Sequence, residues 1–433
     1  MTRSFLGGDR LSRRKVASTL LGLIATTASF GASATAGDWL NWRGPNGNGT
    51  ADGESYPIEW SASEAVAWTY EIPGAGGSTP VVVGDRIALT TGADERNWVI
   101  ALDSSGAEVW RTALGTERPG KHKKGSGSNP SPIADDDHVY AYFKSGDLAC
   151  LDWDGAVVWH HNLQEMFGED TLWWDLGTSP VRTKNHIVVA CMQSGPSPSY
   201  LAAFDPNTGE LAWKQDRTLP APEEANQSYS TPIVFERGGK EYLVVLGADH
   251  VTGHDAETGE QLWQVGGLNP TQNGYFRSIS SPVLADELVI APYARGESLT
   301  AIRLDGSGDI TDSHIAWAHA DLGADVPTPA YHEGNVYLLR DRGEVVKVDA
   351  GSGEVLETLE LERNRNAYSA SPIIAGGHLY AIREDGMTFV VQLSPKMETV
   401  ASNSLPEMAL ASPVFNNGKI LIRAGGKLWC IGQ

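Results

Sequence analysis

LAAFDPNTGELAWKQ, residues 201–215, decides the fold of this chain. An apolar run ends at Asp205, whose carboxylate can accept hydrogen bonds from the amides of the turn that follows. Pro206 and Gly209 supply the backbone angles that a tight turn needs. Trp213 stands four residues past Gly209, so the pattern predicts a β-hairpin with a tryptophan on its second strand.

The hairpin recurs about fifty residues later in VTGHDAETGEQLWQV, residues 251–265, where Trp263 keeps the same spacing from its Thr-Gly. A second marker precedes each hairpin: Ser or Thr, then Pro, then β-branched or apolar residues. Proline is tolerated there because the first residue of a strand need not donate to the ladder. The marker occurs at Pro80, Pro132, Pro180, Pro232, Pro282, Pro329, Pro372 and Pro413.

Successive markers are 41–52 residues apart, and residues 231–263 show four short strands separated by turns. Four antiparallel strands per unit indicate a β-propeller blade. The last unit has room for only three strands, but EAVAWTYEIPG, residues 64–74, has the outer-strand pattern ahead of the first marker. We predict an all-β, eight-bladed propeller of four-stranded antiparallel blades, in which an N-terminal strand completes the last blade. Seven blades with an irregular module are the alternative.

The N-terminal region has the pattern of an export signal. Basic residues precede an apolar run from Val16 to about Phe30, and small residues then offer an Ala-x-Ala cleavage site. We expect residues 1–36 to be a cleaved signal, residues 37–63 an N-terminal extension, and residues 64–433 a single propeller. The apolar run is short for a bilayer span of about 20 residues. We therefore expect an exported protein, periplasmic or extracellular, with no stable membrane span after cleavage, and both Tat and Sec export stay open.

Charge and cysteine content exclude some classes of protein. The chain has 54 acidic and 33 basic residues, and its net charge of −21 would become −25 on loss of residues 1–36, which carry five basic residues and one acidic residue. Such a surface repels nucleic acid, so no nucleic-acid partner is expected. Cys150, Cys191 and Cys430 are far apart in apolar, strand-like sequence, which predicts buried free thiols.

AAFDPNTGELAW, residues 202–213, resembles the tryptophan-docking motif of quinoprotein (PQQ-type) propellers, and the order of strands is similar to that family and to exported BamB-like propellers. The likeness runs from about residue 38 to 433. WRGPNGNG (42–49), GSGDITDSHIAW (306–317) and YSASPI (368–373) resemble secreted BamB-like, PQQ-like repeat proteins. The resemblance implies structural tryptophans that pack between neighbouring blades, and the matching residues are Trp68, Trp110, Trp159, Trp213, Trp263 and Trp317.

Signatures of catalysis are sparse. The resemblance to quinoprotein dehydrogenases implies PQQ and calcium over the central channel, but that residue set cannot be matched here, so no cofactor is expected and PQQ with calcium is the alternative. His250 and His254 are four residues apart, which on a strand separates them by about 13 Å, too far to share a metal ion. We predict an exported, non-catalytic binding or protein-interaction propeller. The alternatives are a periplasmic PQQ-dependent oxidoreductase and a carbohydrate-acting hydrolase or lyase, the latter suggested by Trp173, Trp174, Asp170 and Asp175.

The loops that lead into the first strands converge at one mouth of a propeller, and here they are rich in basic and aromatic residues. A basic, aromatic mouth on an acidic body could focus an anionic or sugar-like ligand, whereas solvated loop residues are the plainer interpretation. We expect a monomer that binds an unknown protein, or a small anionic or carbohydrate ligand, at this mouth. The candidate residues are Lys121, His122, Lys123, Lys124, Trp173, Trp174, Asp175, Tyr229, Tyr275, Arg277, Arg363, Arg365 and Tyr368.

Overall fold

Eight antiparallel sheets follow one another along the chain in the computed structural model, which describes residues 37–53, 55–74 and 76–432. The strands of the first half are β1 Val66–Glu71, β2 Val81–Val83, β3 Arg86–Ala93, β4 Arg96–Asp103, β5 Glu108–Thr116, β6 Ile133–Ala134, β7 His138–Tyr142, β8 Asp147–Asp152, β9 Val157–Asn162, β10 Val181–Arg182, β11 Ile187–Cys191, β12 Tyr200–Phe204, β13 Leu211–Asp216, β14 Ile233–Arg237, β15 Lys240–Gly247, β16 His250–Asp255 and β17 Gln261–Val265. Those of the second half are β18 Val283–Ala285, β19 Leu288–Tyr293, β20 Ser298–Arg303, β21 Gly308–Asp309, β22 Ile315–His319, β23 Ala330–His332, β24 Asn335–Leu339, β25 Glu344–Asp349, β26 Val355–Glu360, β27 Ile373–Ala375, β28 His378–Ile382, β29 Met387–Gln392, β30 Glu398–Ser404, β31 Val414–Asn416, β32 Lys419–Ala424 and β33 Lys427–Ile431. One short helix, α1 (Leu163–Phe167), and 3₁₀ turns at Glu223–Asn226 and Ala294–Gly296 complete the described elements.

Each blade pairs its strands in chain order, and the last blade is completed by β1. The blades are β2–β5, β6–β9, β10–β13, β14–β17, β18–β20 with β22, β23–β26, β27–β30, and β31–β33 with β1. β1 runs antiparallel to β33, with Val66 opposite Ile431 and Glu71 opposite Lys427. The predicted eight-bladed propeller, closed by the N-terminal strand, is confirmed.

The core lies between the blades. The middle strands are buried along their whole length, as in β12 (YLAAF), because a neighbouring blade covers each face. The fourth strands are half exposed, as in β13 (LAWKQD). The three cysteines are buried and free, as predicted, and burial raises the pKa of the Cys191 thiol to about 12.

Most of the recurring tryptophans lie against the hairpin glycine of the next blade. A Cβ placed on Gly209 would stand 2.7 Å from the Trp159 ring, and Trp159 Nε1 donates to the carbonyl of Pro206 at 2.9 Å. The same relation joins Trp68 to Gly106, Trp110 to Gly155, Trp213 to Gly259 and Trp317 to Gly353.

Trp263 is the exception among the six matched tryptophans. It lies over Gly253 of its own blade, because the strand β21, from the following blade, pairs in parallel alongside it. The segment 306–317, which supplies β21, thus covers the outer edge of the fourth blade.

Residues 39–51 fill the central channel. Trp39 pairs with Val82 in the first strand of the first blade, with N···O distances of 2.7 and 2.9 Å. The chain reverses after Asn41 and then runs beside the first strand of the seventh blade, where the Gly49 carbonyl accepts from the Ile374 amide at 2.8 Å. The channel is therefore closed by the protein's own N-terminal segment, which we call the plug.

The expected export signal, residues 1–36, lies outside the described residues. No helix among residues 37–53, 55–74 and 76–432 is long and apolar enough to cross a membrane.

Candidate functional site

The Ser or Thr of each marker belongs to a hydrogen-bonded ring around the propeller axis. In seven successive steps, the amide of one residue donates to the side-chain oxygen of its counterpart in the next blade, at 2.8–3.1 Å. In the eighth step, Thr79 Oγ1 donates to the carbonyl of Ser412 at 3.3 Å. The members of this hydroxyl ring are Thr79, Ser131, Ser179, Thr231, Ser281, Thr328, Ser371 and Ser412. The marker therefore holds Ser or Thr because each blade must present an oxygen to its neighbour's amide.

The hydroxyl ring lines a cavity of about 690 Å³. Trp42, from the plug, closes its inner end. Trp173, Trp174 and Tyr275 stand at its open end with 47%, 47% and 58% of their surfaces exposed. We call this cavity the cup.

Asp175 organises the loop that carries His122 and Lys124. Its carboxylate accepts from Lys144 Nζ at 2.5 Å and from the amides of Lys121 and His122 at 2.8 and 3.2 Å. Burial by itself would raise the pKa of Asp175, but these hydrogen bonds outweigh it and hold the pKa below its ordinary value. Asp175 is thus an ionised structural group that already has its partners.

Arg277 is similarly engaged. Its guanidinium makes a bidentate pair with Asp325 at 2.7 and 3.2 Å, and its Nε lies 3.6 Å from Glu224. Glu224 also accepts from Trp174 Nε1 at 2.9 Å, which fixes the indole. The amides of Asp325 and Val326 in turn donate to Asp341 at 2.8 and 3.2 Å, a carboxyl whose pKa is raised by burial.

Two further basic residues of the mouth also have partners within the protein, and a third has no ion pair in the described part of the chain. Lys124 Nζ lies 2.7 Å from the Glu384 carboxylate. Lys121 Nζ donates to the Leu172 carbonyl at 2.9 Å. Arg295 is exposed, has a left-handed φ of 57° and makes no ion pair with any described residue. Two cations at the cup, Lys124 and Arg277, are therefore paired with carboxylates, whereas Arg295 has no ion pair among the described residues.

The structure brings eight of the thirteen candidate residues to the wall of the cup: His122, Lys124, Trp173, Trp174, Asp175, Tyr229, Tyr275 and Arg277. Lys123 and Arg365 line a neighbouring groove of about 590 Å³. Lys121 donates to carbonyls outside the cup, as described above, and Arg363 is an exposed partner of Glu360.

Tyr368 does not reach the mouth. It is 1% exposed and packs in the core beside Phe389, with ring centroids 6.4 Å apart. Its place just before a marker suggested a loop residue, but its ring turns inward between blades.

Sequence reasoning missed Trp42, Glu224, Arg295 and the hydroxyl ring. The sequence signal of the ring is the Ser or Thr that recurs before each marker proline. The proline predicts the head of a strand, but it does not predict the hydrogen bond of the hydroxyl. Trp42 carried none, because the plug has no strand periodicity that could place it in the channel.

The cup does not fit a calcium–PQQ centre. Calcium takes about 6–8 oxygen ligands, and in the described part of the chain no three His, Cys, Asp or Glu side chains converge. PQQ is a tricarboxylate, yet Lys124 and Arg277 are already paired with carboxylates. The described residues thus do not offer the calcium ligand set of such a centre.

Of the two carboxylates proposed for glycoside cleavage, only Asp175 lines the cup. Asp170 accepts from Gln164 and Arg118 at 2.6 and 3.2 Å and lies outside the cup, whereas Asp175 is held by Lys144. Neither carboxylate is placed to act as an acid or base across the cup from the other.

Comparison with known proteins locates relatives along almost the whole chain. A family model described as outer membrane protein assembly factor BamB matches residues 50–216 and 196–401. The outer membrane protein assembly factor BamB of Yersinia pestis is 24% identical over 355 residues, which are 77% of this chain and 79% of that protein.

Solved structures of similar fold include proteins of two kinds. BamB from Moraxella catarrhalis superposes with a TM-score of 0.60 at 13% identity, covering 82% of this chain and 94% of that chain. Quinohemoprotein alcohol dehydrogenase from Comamonas testosteroni superposes with a TM-score of 0.65 at 14% identity, covering 93% and 82%. At these identities the likeness establishes the fold alone.

Proposed function

The chain belongs to the family described as outer membrane protein assembly factor BamB, and on that premise we propose that it is an exported, non-catalytic binding propeller that holds a segment of a protein partner in the cup. The observation that carries the proposal is the open end of the cup, where three large aromatic side chains are about half exposed above a cavity of about 690 Å³. Exposed Trp and Tyr around a pocket are the residue types that dominate binding energy at protein interfaces.

We call Trp173, Trp174 and Tyr275 the aromatic rim. Hydrogen bonds within the protein hold its two tryptophans in place without a partner. Trp174 donates through its indole to Glu224 and through its amide to Tyr229 Oη, at 2.9 and 3.1 Å. The amide of Trp173 donates to Gln227 at 2.9 Å. A rim fixed in this way loses little conformational entropy on binding, which suits a recognition surface.

The polar groups of the cup support binding more than catalysis. Asp175, Glu224 and Arg277 each have two or more partners within the protein, so none is a free acid, base or nucleophile. The engagement of these three side chains counts equally against the dehydrogenase and the glycosidase alternatives.

Site-specific photo-crosslinking tests the proposal. A benzophenone amino acid at Tyr275 should form an adduct with a protein partner in cells, whereas the same group at Val109, which is 62% exposed on β5, should not. The captured partner should then bind the purified protein, and the change of Trp173 and Trp174 to Ala should weaken that binding about tenfold or more.

Two results would contradict the proposal. One is adduct formation at Val109 but not at Tyr275. The other is turnover by the purified protein, either dye-linked alcohol oxidation with added PQQ and Ca²⁺ or release of sugars from a glycan.

A further inference from the structure

Seven hydroxyls of the hydroxyl ring have a hydrogen-bond donor that the protein does not use. The oxygens of Ser131, Ser179, Thr231, Ser281, Thr328, Ser371 and Ser412 each accept one amide. No described residue accepts from their O–H groups, although a hydroxyl offers one donor besides its acceptor sites. All seven side chains belong to buried residues and line the cup. Only Thr79 uses its O–H, donating to the Ser412 carbonyl.

A buried cation lies directly behind this ring. Arg43, 4% exposed, donates to the carbonyls of Pro329 and Pro372 at 2.5 and 3.3 Å, the residues that follow Thr328 and Ser371 in the chain. Its Nε has no acceptor among the described residues, and no described carboxylate lies within ion-pair distance of it. Its guanidinium lies 5.3 Å from the ring of Trp42, which closes the cup.

Arg423, on the eighth blade, adds a second buried charge beside the ring. Its Nη1 donates to the Ser78 hydroxyl and the Thr90 carbonyl, both at 2.8 Å, and Ser78 precedes Thr79. Arg423 likewise has no carboxylate partner among the described residues. Unpaired charges act strongly through a low-dielectric interior. At the cup wall, Asp175 is paired with Lys144, and Glu224 shares the Arg277 guanidinium with Asp325. The hydroxyl ring is thus rich in unused donors and has beside it two buried arginines without carboxylate partners among the residues described.

We propose that the seven unused hydroxyls of the ring, and not that of Thr79, bind a carboxylate, which the partner segment inserts past the aromatic rim. The inference rests on the proposed function and adds the chemistry of the ligand: an acidic side chain or a chain terminus. Acceptor oxygens would take the unused O–H groups, and charge-assisted hydrogen bonds of this kind are about twice as strong as neutral ones. A free small carboxylic acid offers the same chemistry and is separated from a protein segment by the test.

Three isosteric variants provide the test. Thr231→Val and Thr328→Val each remove an unused donor, whereas Thr79→Val removes an O–H that the protein already uses, and all three lose one hydrogen bond of the ring. Binding would be followed by calorimetry and thermal shift with citrate, inorganic sulfate, tetraglutamate and tetraglutamine, at ionic strength matched with sodium chloride.

We expect saturable binding of citrate or tetraglutamate beyond any chloride effect. Thr231→Val and Thr328→Val should each weaken it about tenfold, the equivalent of about 1.4 kcal/mol, and Thr79→Val should change it less than twofold. Tetraglutamate binding without tetraglutamine binding indicates a protein segment, and citrate binding alone indicates a small acid. Ser371→Ala serves as a further donor variant if either threonine variant does not fold.

Absence of saturable binding by all four probes would overturn the inference, as would equal losses in Thr79→Val and the donor variants. Either result would leave the proposed function standing, because crosslinking at Tyr275 tests the aromatic rim and does not depend on the hydroxyl ring. If crosslinking fails but citrate still binds, the cup is a site for a small acid, and the proposed protein partner is contradicted.

Discussion

Lys144 Nζ lies 2.5 Å from Oδ1 of Asp175, and the two side chains are only 4% and 5% exposed. The pair joins the second blade to the loop at the mouth, since Asp175 also holds the amides of Lys121 and His122. Removing one side chain of a buried ion pair strongly destabilises a protein, because the other side chain is left as an uncompensated buried charge.

Lys144→Met should therefore lower the free energy of unfolding by about 3–5 kcal/mol, measured by urea denaturation. Lys184→Met is the matched control, because Lys184 pairs with Glu236 at the surface, where solvent screens the interaction, so its loss should change stability far less. Similar decreases in the free energy of unfolding of the two variants would show that the Lys144–Asp175 pair stabilises the protein no more than a surface pair does.

The contact between tryptophan and glycine predicts a difference between two left-handed glycines. Gly209 has φ 72° and Gly238 has φ 60°, so alanine is strained at both. A Cβ on Gly209 meets the Trp159 ring at 2.7 Å, whereas one on Gly238 meets nothing within 4 Å. Gly238→Ala should cost about 1 kcal/mol, and Gly209→Ala should cost about 1–3 kcal/mol more through overpacking. Equal thermal stabilities of the two variants would show that Trp159 moves aside freely.

The repeat could be predicted from sequence because local chemistry and global architecture coincide there. Asp205 does accept the amides of Asn207 and Thr208, at 2.9 and 2.8 Å, and Gly209 does take a left-handed φ. The Ser or Thr before proline recurs once in each blade, so counting those markers is enough to count the blades.

The site resisted prediction because it depends on contacts between blades distant in sequence. Arg277 is far from Asp325, and Lys124 is 260 residues from Glu384, so a run of basic residues could not reveal that its charges are paired. The plug was equally hidden, because its partners in the channel wall are first strands at both ends of the chain.

The plug predicts a second contrast between neighbouring glycines. Gly49 and Gly47 both have a left-handed φ, of 82° and 65°. A side chain on Gly49 would collide with the Arg43 guanidinium, but one on Gly47 would meet nothing within 4 Å. Gly49→Ala should displace Arg43 from its carbonyl partners and loosen the plug, giving faster hydrogen exchange at the amides of Trp39 and Ala51. Gly47→Ala should leave that exchange unchanged, and identical exchange in the two variants would contradict this view of the plug.

His254 predicts how stability depends on pH. Burial, and then the charge of Arg217, lower the pKa of His254 to about 4, and its ring nitrogens contact Gly259 O and Thr252 Oγ1 at 3.0 and 2.9 Å. The ordinary histidine pKa of about 6.5 applies to the unfolded chain, which therefore takes up the proton first as the pH falls. This contribution to stability is complete above about pH 6.5 and is lost progressively toward pH 4, by about 3 kcal/mol in all. His254→Gln should flatten the curve of unfolding free energy between pH 6.5 and 4, while the loss below pH 4 from carboxylates such as Asp175 persists. A wild-type curve that is already flat over that interval, or an unchanged slope in the variant, would show that His254 is not the group responsible.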